Sequence, residues 1–244
     1  MAAAHWRGTE EEWLGDWLLR AAGGFTGRAN SALPLGDPGL PLEAALAAVT
    51  RWYQARALPP MIAVPTPIAA GFPAPGLDRE LSRRGWGARP GPAFVMLADL
   101  PLPASAAVFP AGRDIQVSRE PDDAWAARYH YRGQDYLPPV ARQVLTSADE
   151  QSFVSIRDGE TVLAIARLSV VGGWAGLTAV EVHPGHRRQG LGVAVTAAAG
   201  QEAARRGASR LFLQVEVDNA PAQALYAGLG FRVSHRYHYR VAPA

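Results

Sequence analysis

Residues 180–192 read Val-Glu-Val-His-Pro-Gly-His-Arg-Arg-Gln-Gly-Leu-Gly, an apolar strand followed by a short basic turn with glycines at 190 and 192. Small residues such as Ala194 and Ala197 follow, and they predict a helix over 191–206 that packs closely on a sheet. Arg205-Arg206-Gly207 then supplies the basic residues and the glycine that are typical of a helix end. This stretch predicts a strand–turn–helix unit.

A second motif follows at residues 219–231, which read Asn-Ala-Pro-Ala-Gln-Ala-Leu-Tyr-Ala-Gly-Leu-Gly-Phe. Together the two motifs resemble the signature of the GCN5-related N-acetyltransferases (the GNAT family), with Arg187, Gly190 and Gly192 in the defining places. The resemblance covers about residues 113–240. It implies an α/β (α+β) GNAT fold with a mixed, splayed central sheet, and transfer of an acetyl group from acetyl-CoA to an amine.

The resemblance also implies where acetyl-CoA binds. A helix N-terminus offers free N–H groups and a positive dipole end to the pyrophosphate, glycines let the backbone approach it, and the two arginines add charge-assisted bonds. The preceding strand pairs with the pantetheine arm, and an amide near Val182 acts as oxyanion stabiliser. The predicted cofactor-binding residues are Val180, Glu181, Val182, Arg187, Arg188, Gln189, Gly190, Leu191, Gly192, Val193, Asn219 and Tyr226.

Tyr226 occupies the place where many GNAT members keep the acid that protonates the departing thiolate. A phenol, with a pKa of about 10, can stabilise a forming thiolate, whose thiol has a pKa of about 8.5, by hydrogen bonding or proton donation. The structural alternative is an aromatic residue at the edge of the core. Asn219 is expected to cap the helix 220–228.

The general base is less clearly marked. In the ribosomal-protein alanine acetyltransferases, which the C-terminal half resembles, a Glu stands five residues before the Asn, but here that residue is Gln214. Glu216 shares the face of Gln214 by strand alternation, and Glu181 lies on the adjacent strand. Either carboxylate could organise a water as base, so both remain candidates beside a purely structural role.

Three segments divide the chain: an N-terminal α/β domain over 1–99, a Pro- and Ala-rich linker over 100–112, and the GNAT domain over 113–244. The predicted helices cover 9–22, 42–56, 77–84, 122–131, 138–147, 191–206 and 220–228. A Pro/Gly loop is expected at 65–76. The predicted strands cover 61–64, 93–98, 115–117, 151–157, 160–171, 174–183, 210–217 and 231–241, with Asp158-Gly159 as a hairpin turn.

The two halves align with each other at a shift of 151 residues, which lays 42–56 on 193–207 and Met61–Val64 on Phe212–Val215. A degenerate first GNAT copy and chance similarity between two α/β units both explain this. Residues 36–41, which replace the basic turn, contain prolines and no arginine, and Ser82 takes the place of Tyr226. The N-terminal half is therefore not expected to bind CoA.

Composition sets the remaining bounds. With 48% hydrophobic and 19% charged residues the chain can bury a core, and the absence of cysteine excludes disulfides and thiolate chemistry. A net charge of +2 with dispersed arginines argues against nucleic-acid binding. No stretch is apolar enough for a membrane span or a signal peptide, so a cytoplasmic location is expected. His183 and His186 lack ligand-like neighbours, and no metal is predicted.

The leading hypothesis is an acyl-CoA-dependent N-acyltransferase that uses acetyl-CoA. Its acceptor is a small-molecule amine or a peptide or protein amine, and the sequence does not choose between them. The alternative is a CoA-binding regulatory module without turnover, which Gln214 favours and Tyr226 disfavours. A DNA-binding fusion has little support because no helix is concentrated in basic residues. A homodimer is compatible with the sequence.

Overall fold

The computed structural model describes residues 2–67, 75–103, 112–130 and 137–243. The described helices are α1 Ala2–His5, α2 Leu42–Gln54, α3 Pro75–Arg83, α4 Asp123–Arg128, α5 Pro139–Leu145, α6 Leu191–Arg205 and α7 Ala220–Gly228. The strands are β1 Glu10–Leu14, β2 Trp17–Ala21, β3 Leu33–Pro34, β4 Met61–Pro67, β5 Gly87–Ala88, β6 Ala93–Asp99, β7 Asp114–Ser118, β8 Gln151–Asp158, β9 Thr161–Val171, β10 Trp174–Val182, β11 Arg210–Glu216 and β12 Arg232–Val241.

Contacts divide the chain into two compact units. Unit C consists of Met1–His5, Met96–Val215 and Asn219–Val233, and unit N consists of Trp6–Val95, Glu216–Asp218 and Ser234–Ala244. The predicted domains differ from these units at both chain ends. The C-terminal strand belongs to unit N because His235–Val241 pair with β4, and residues 104–111 of the predicted linker lie outside the described residues.

Unit C contains a mixed sheet with the strand order β11-β10-β9-β8-β7. Neighbouring strands are antiparallel except for β10 and β11, which are parallel. Helix α6 packs against β8, β9 and β10, and its alanines and Gly200 are buried in that contact. Small side chains allow the helix axis to approach the sheet closely, as the sequence predicts.

A buried polar cluster fastens α1 to unit C. The fully buried Arg167 of β9 donates from Nε to the carbonyl of Leu145 (2.5 Å) and from Nη1 to the carbonyl of His5 (3.0 Å). His5 Nδ1 lies 3.0 Å from Ser169 Oγ, and burial lowers the pKa of His5 to about 4. His5 is therefore neutral at physiological pH, which avoids a second charge beside Arg167.

Unit N is built from a small sheet, two helices and the β4–β12 pair. Strands β1, β2 and β3 are antiparallel, and β5 pairs with the end of β12. Its core is a cluster around Tyr53, Ile62 and Leu81. The hydroxyl of the buried Tyr53 donates to the carbonyl of Arg20 over 2.9 Å, so α2 is bonded to β2.

The predicted helix over 9–22 is wrong, because this segment forms the hairpin β1–β2. Gly15 has a φ of +54° in the turn, and strands pair from Leu14↔Trp17 to Glu10↔Ala21. Every residue of β2 is buried, whereas a helix would bury one face only. The capping-box spacing of Thr9 and Glu12 was a misleading local signal, which the buried pairing of β2 overrides.

The repeated segments of the two units share local geometry. Gly39 and Gly190 both precede helices at positive φ (+71° and +76°), and Gly85 and Gly230 both follow helices at positive φ (+77° and +88°). The N–H of Trp86 donates to the carbonyl of Leu81, as that of Phe231 donates to Tyr226, each over 3.0 Å. Leu81, not Ser82, therefore takes the place of Tyr226. The six-residue difference in loop length had shifted the alignment by one.

Among the described residues, no helix combines the length and the apolar character that crossing a membrane requires.

The hairpin predicts that Gly15→Ala destabilises the protein by about 3 kcal/mol or more. A Cβ at Gly15 would lie 2.3 Å from the backbone carbon of Pro38, in addition to the cost of a positive φ. Gly85→Ala is the control, since its φ is +77° but its new Cβ would only approach Pro243 at 4.0 Å, and we expect a loss of about 1–2 kcal/mol. Urea unfolding measures both. A helix at 9–22 would instead make Gly15→Ala stabilising.

Candidate functional site

The site begins where the sheet of unit C opens. The parallel ladder between β10 and β11 runs from Trp174↔Arg210 to Leu177↔Leu213 and ends there. On its other side β10 continues against β9 to Val182↔Ala164, with a bulge between Thr178 and Glu181. Ala179 has a φ of +52°, a strained value for a residue with a Cβ. The bulge therefore bends the end of β10, and residues 178–182 have one edge outside the β10–β11 ladder.

The basic turn follows at once and leads into α6. Pro184–His186 form a 3-10 turn, in which His183 Nδ1 accepts from the N–H of Gly185 over 3.1 Å. Arg188 and Gly190 both have positive φ (+64° and +76°), and residues 187–190 are exposed. Gly190 is the N-cap of α6 and has no side chain to bond the first N–H groups. The turn thus presents a helix N-terminus with two arginines beside it.

The two glycines of the turn have different roles. A Cβ on Gly190 would meet nothing within 4 Å, so this position faces open space. A Cβ on Gly192 would lie 2.8 Å from Leu225 Cδ1 and 3.7 Å from Val182 Cγ2. The prediction that both glycines admit a ligand needs correction for Gly192, which instead lets α7 pack against α6. Leu191 is buried and anchors the first turn of α6, and Val193 is half-buried.

Glu181 is the half-buried carboxylate of the site. Its Oε1 accepts from the backbone N–H of His130 over 2.9 Å, and its Oε2 lies 3.4 Å from His130 Nδ1. Burial raises the pKa of Glu181, although His130 and Arg128 oppose this shift. The carboxylate lines a cavity of about 470 Å³, together with Arg128, His130, Val180, Val182, Pro184 and Arg187. The bulged strand and the basic turn thus share one cavity.

Tyr226 is the buried residue of α7 and is 8% exposed. Its ring packs edge-on against Phe231 with centroids 5.7 Å apart, and burial raises its pKa to about 12. The phenol therefore keeps its proton at neutral pH. Asn219 Oδ1 accepts from the N–H of Ala222 over 3.1 Å, which confirms the predicted cap of α7.

The predicted residues are only partly brought together. Val180, Glu181, Val182 and Arg187 line the cavity, whereas Tyr226 and Glu216 are not among its described lining residues. Glu216 is exposed at the end of β11 and belongs to unit N, while the half-buried Gln214 belongs to unit C. The roles of all these residues stay predictions.

Sequence reasoning missed Arg128 and His130. The helix predicted over 122–131 ends at Arg128, and the extended backbone of Tyr129 carries His130 to Glu181, 51 residues away in sequence. No local motif marks such a contact. Among the described residues, no group of three or more His, Cys, Asp or Glu side chains could hold a metal ion.

Comparison with known proteins identifies the relatives of this chain. The profile of the family described as "Probable histone acetyltransferase Rv0428c C-terminal" matches residues 1–240. The "Uncharacterized N-acetyltransferase YobR" of Bacillus subtilis (strain 168) is 29% identical over 259 residues, which cover 99% of this chain and 96% of YobR.

Solved structures show the same fold. A GCN5-related N-acetyltransferase from Kribbella flavida superposes with a TM-score of 0.73 at 21% identity, covering 97% of this chain and 90% of that one. A tandem GNAT protein from the clavulanic acid biosynthesis pathway gives a TM-score of 0.67 at 17% identity, covering 88% and 76%. The predicted GNAT fold, with a mixed sheet and a smaller GNAT-like part before it, is confirmed. The chain belongs to the Rv0428c C-terminal acetyltransferase family and is an acyltransferase of the GNAT type.

Proposed function

We propose that the protein is an N-acetyltransferase that transfers an acetyl group from acetyl-CoA to a primary amine by direct attack in a ternary complex. The observation that supports this most strongly is the single cavity of unit C. It joins the bulged end of β10, a carboxylate with a raised pKa and the basic turn before α6. Such a cavity can hold a thioester beside a proton acceptor, with phosphates at its rim.

The turn suits the pyrophosphate of acetyl-CoA. The open space at Gly190, the N-terminus of α6 and the exposed Arg187 and Arg188 provide room, N–H donors and positive charge. In this proposal Gln189 and the N–H groups of Leu191, Gly192 and Val193 complete the phosphate site. The free edge of Val180, Glu181 and Val182 pairs with the pantetheine arm, and Asn219 lies toward that arm.

We assign the general base to Glu181. An amine must lose its proton before its nitrogen attacks the thioester carbonyl, and the proton passes to the Glu181 carboxylate directly or through one water. Its raised pKa brings the carboxylate closer in basicity to its task. The backbone N–H and ring of His130 hold the carboxylate in place. Glu216, the other candidate, is exposed and has no comparable surroundings within its unit.

We assign stabilisation of the leaving thiolate to Tyr226. As the new C–N bond forms, the C–S bond breaks and its electron pair stays on sulfur. Full transfer of the phenol proton, with a pKa of about 12, to a thiolate of ordinary basicity would be unfavourable by roughly 5 kcal/mol. Tyr226 is therefore expected to act by hydrogen bonding, and the thiolate takes its proton later from solvent.

The acceptor is a small-molecule amine or a peptide or protein amine. The alternative function, a CoA-binding regulatory module, is favoured by one observation: Gln214 stands where a glutamate is expected. A module of this kind binds acetyl-CoA but transfers no acetyl group to any amine. Turnover against a panel of polyamine, aminoglycoside, amino-acid amide and peptide substrates separates the two functions.

The phosphate site predicts a charge effect at Gly190. Gly190→Asp and Gly190→Asn have the same shape, tolerate positive φ and are good N-caps, so neither should unfold the protein. The added carboxylate repels the pyrophosphate, and we expect Gly190→Asp to bind acetyl-CoA at least about tenfold more weakly than Gly190→Asn. Titration calorimetry measures both. Equal affinities of the two variants would refute a phosphate at this turn.

The base assignment predicts that Glu181→Gln lowers kcat/KM by about 100-fold or more without weakening acetyl-CoA binding. A base acts when deprotonated, so the rate falls as pH falls through the pKa of Glu181. Because burial raises that pKa, this loss begins at a higher pH than for an exposed glutamate, and it disappears in Glu181→Gln. The exposed Glu160→Gln is the control. A Glu181→Gln enzyme with parental turnover across pH 6–9 would rule out this base.

Hydrogen bonding by Tyr226 predicts that Tyr226→Phe lowers kcat by about ten- to 100-fold. The acetyl-CoA dissociation constant should change little, and the ring contact with Phe231 is preserved. Steady-state kinetics with a slow and a fast acceptor test this. An unchanged kcat, with CoA release shown to be the slow step for neither acceptor, would leave Tyr226 a core residue.

A further inference from the structure

Unit N contains a second cavity, of about 290 Å³, outside the site described above. One wall is apolar and consists of Leu58, Pro59, Met61 and Val241. It lies near the C-terminal end of α2, whereas Gly39, the counterpart of the phosphate-turn glycine, precedes the other end of this 13-residue helix, about 20 Å away. The cavity is therefore not a remnant of a CoA site.

The opposite wall is the glycine-rich loop 22–30, which the sequence analysis left without a role. Asn30 fixes the loop from inside: its Oδ1 accepts from the N–H groups of Ala22 (2.8 Å) and Gly24 (2.9 Å). Its Nδ2 donates to the carbonyls of Phe25 (2.7 Å) and Thr26 (2.8 Å). All four bonds of one buried amide are spent on shaping a single loop, which makes the loop rigid.

Thr26 shows that this shape is strained. Its φ is +61°, an outlier for a β-branched residue. Its hydroxyl accepts from Trp6 Nε1 over 2.9 Å, which helps to hold the conformation. Strain that the surroundings enforce is commonly found at ligand sites. The strain therefore supports a binding role for the loop, beside the cavity itself.

The charge of the cavity comes from Arg89. Its Nη1 lies 3.4 Å from Met61 Sδ, and its guanidinium stands 5.8 Å from the centre of the Tyr239 ring. A Cβ at Gly27 would lie 3.0 Å from Arg89 Nη1, so the guanidinium rests directly against the loop. Among the residues that the structure describes, no carboxylate is within ion-pair distance of Arg89.

A second, buried arginine increases the positive potential of unit N. Arg20 is 5% exposed, and its guanidinium donates to the carbonyl and the hydroxyl of Ser31, each over 3.2 Å. Both acceptors are uncharged, and within the described part of the chain no carboxylate pairs with Arg20. Buried positive charge without a counter-ion attracts anions to the nearest accessible cavity.

We infer that the cavity between loop 22–30 and Arg89 binds a small molecule with an anionic head and an apolar body. The carboxylate or phosphate pairs with the Arg89 guanidinium, and a short alkyl or similar group lies against Leu58, Met61 and Val241. The structure gives carboxylate and phosphate the same partner, and the experiment distinguishes them. This inference concerns unit N alone and does not depend on the acetyltransferase mechanism.

The test uses the full-length protein and four probes of one length: hexanoate, hexyl phosphate, hexanamide and hexylamine. NMR titration is expected to show binding of at least one of the two anions, and the better anion identifies the head group. The neutral amide and the cationic amine should bind at least about tenfold more weakly. Equal binding of the amide, or no binding of either anion at 50 mM concentrations (on the order of the weakest useful affinity), overturns the inference.

Variants locate the binding. Arg89→Met keeps the length of the side chain but removes its charge, and it should weaken the better anion about tenfold or more. Arg89→Lys should keep most of the affinity. Arg51→Met is the control, since Arg51 is exposed on α2 of the same unit. Thermal unfolding confirms that each variant folds. Binding that survives Arg89→Met arises elsewhere, for example at the turn before α6, and contradicts the inference.

Discussion

The hydrogen bonds between β10 and β11 end at Leu177 and Leu213, and the bulge at Ala179 bends the remainder of β10. An uninterrupted ladder would satisfy both edges of β10 and leave no backbone for a substrate. The interruption costs strain at Ala179, and the pairing of β10 with β9, which resumes at Glu181, holds that strain in place. The cavity, the orientation of Glu181 and the start of the basic turn all follow from it.

Electrostatics divide the work within unit C. Positive charge lies at the exposed turn, where Arg187, Arg188 and the α6 dipole face solvent. The ionisable groups that we assign to proton handling are buried or half-buried: burial raises the pKa of both Glu181 and Tyr226. Unit N shares the local geometry of the same helices and strand, but it has Leu81 in place of Tyr226 and no arginine before α2. Its own positive charge lies instead at Arg20 and Arg89.

Much of this could be predicted from sequence, because the signals were local. The helices α2, α6 and α7, the hairpin β8–β9 and the Asn219 cap follow from periodicity, turn residues and cap chemistry. The hairpin at 10–21 did not, because its acidic outer strand imitates a helix start and its pairing is visible only in three dimensions. The contact of His130 with Glu181 spans 51 residues, and the packing role of Gly192 depends on Leu225, so neither leaves a mark in the local sequence.

The central claim is that the free edge of β10 and the turn before α6 form one binding surface for acetyl-CoA. Hydrogen–deuterium exchange with and without saturating acetyl-CoA tests it at the level of single segments. The account predicts slower exchange in peptides that contain residues 178–182 and 190–193, and no change over 39–44, the corresponding part of unit N. Protection confined to unit N, or unchanged exchange at 178–182 and 190–193 despite binding, would contradict it.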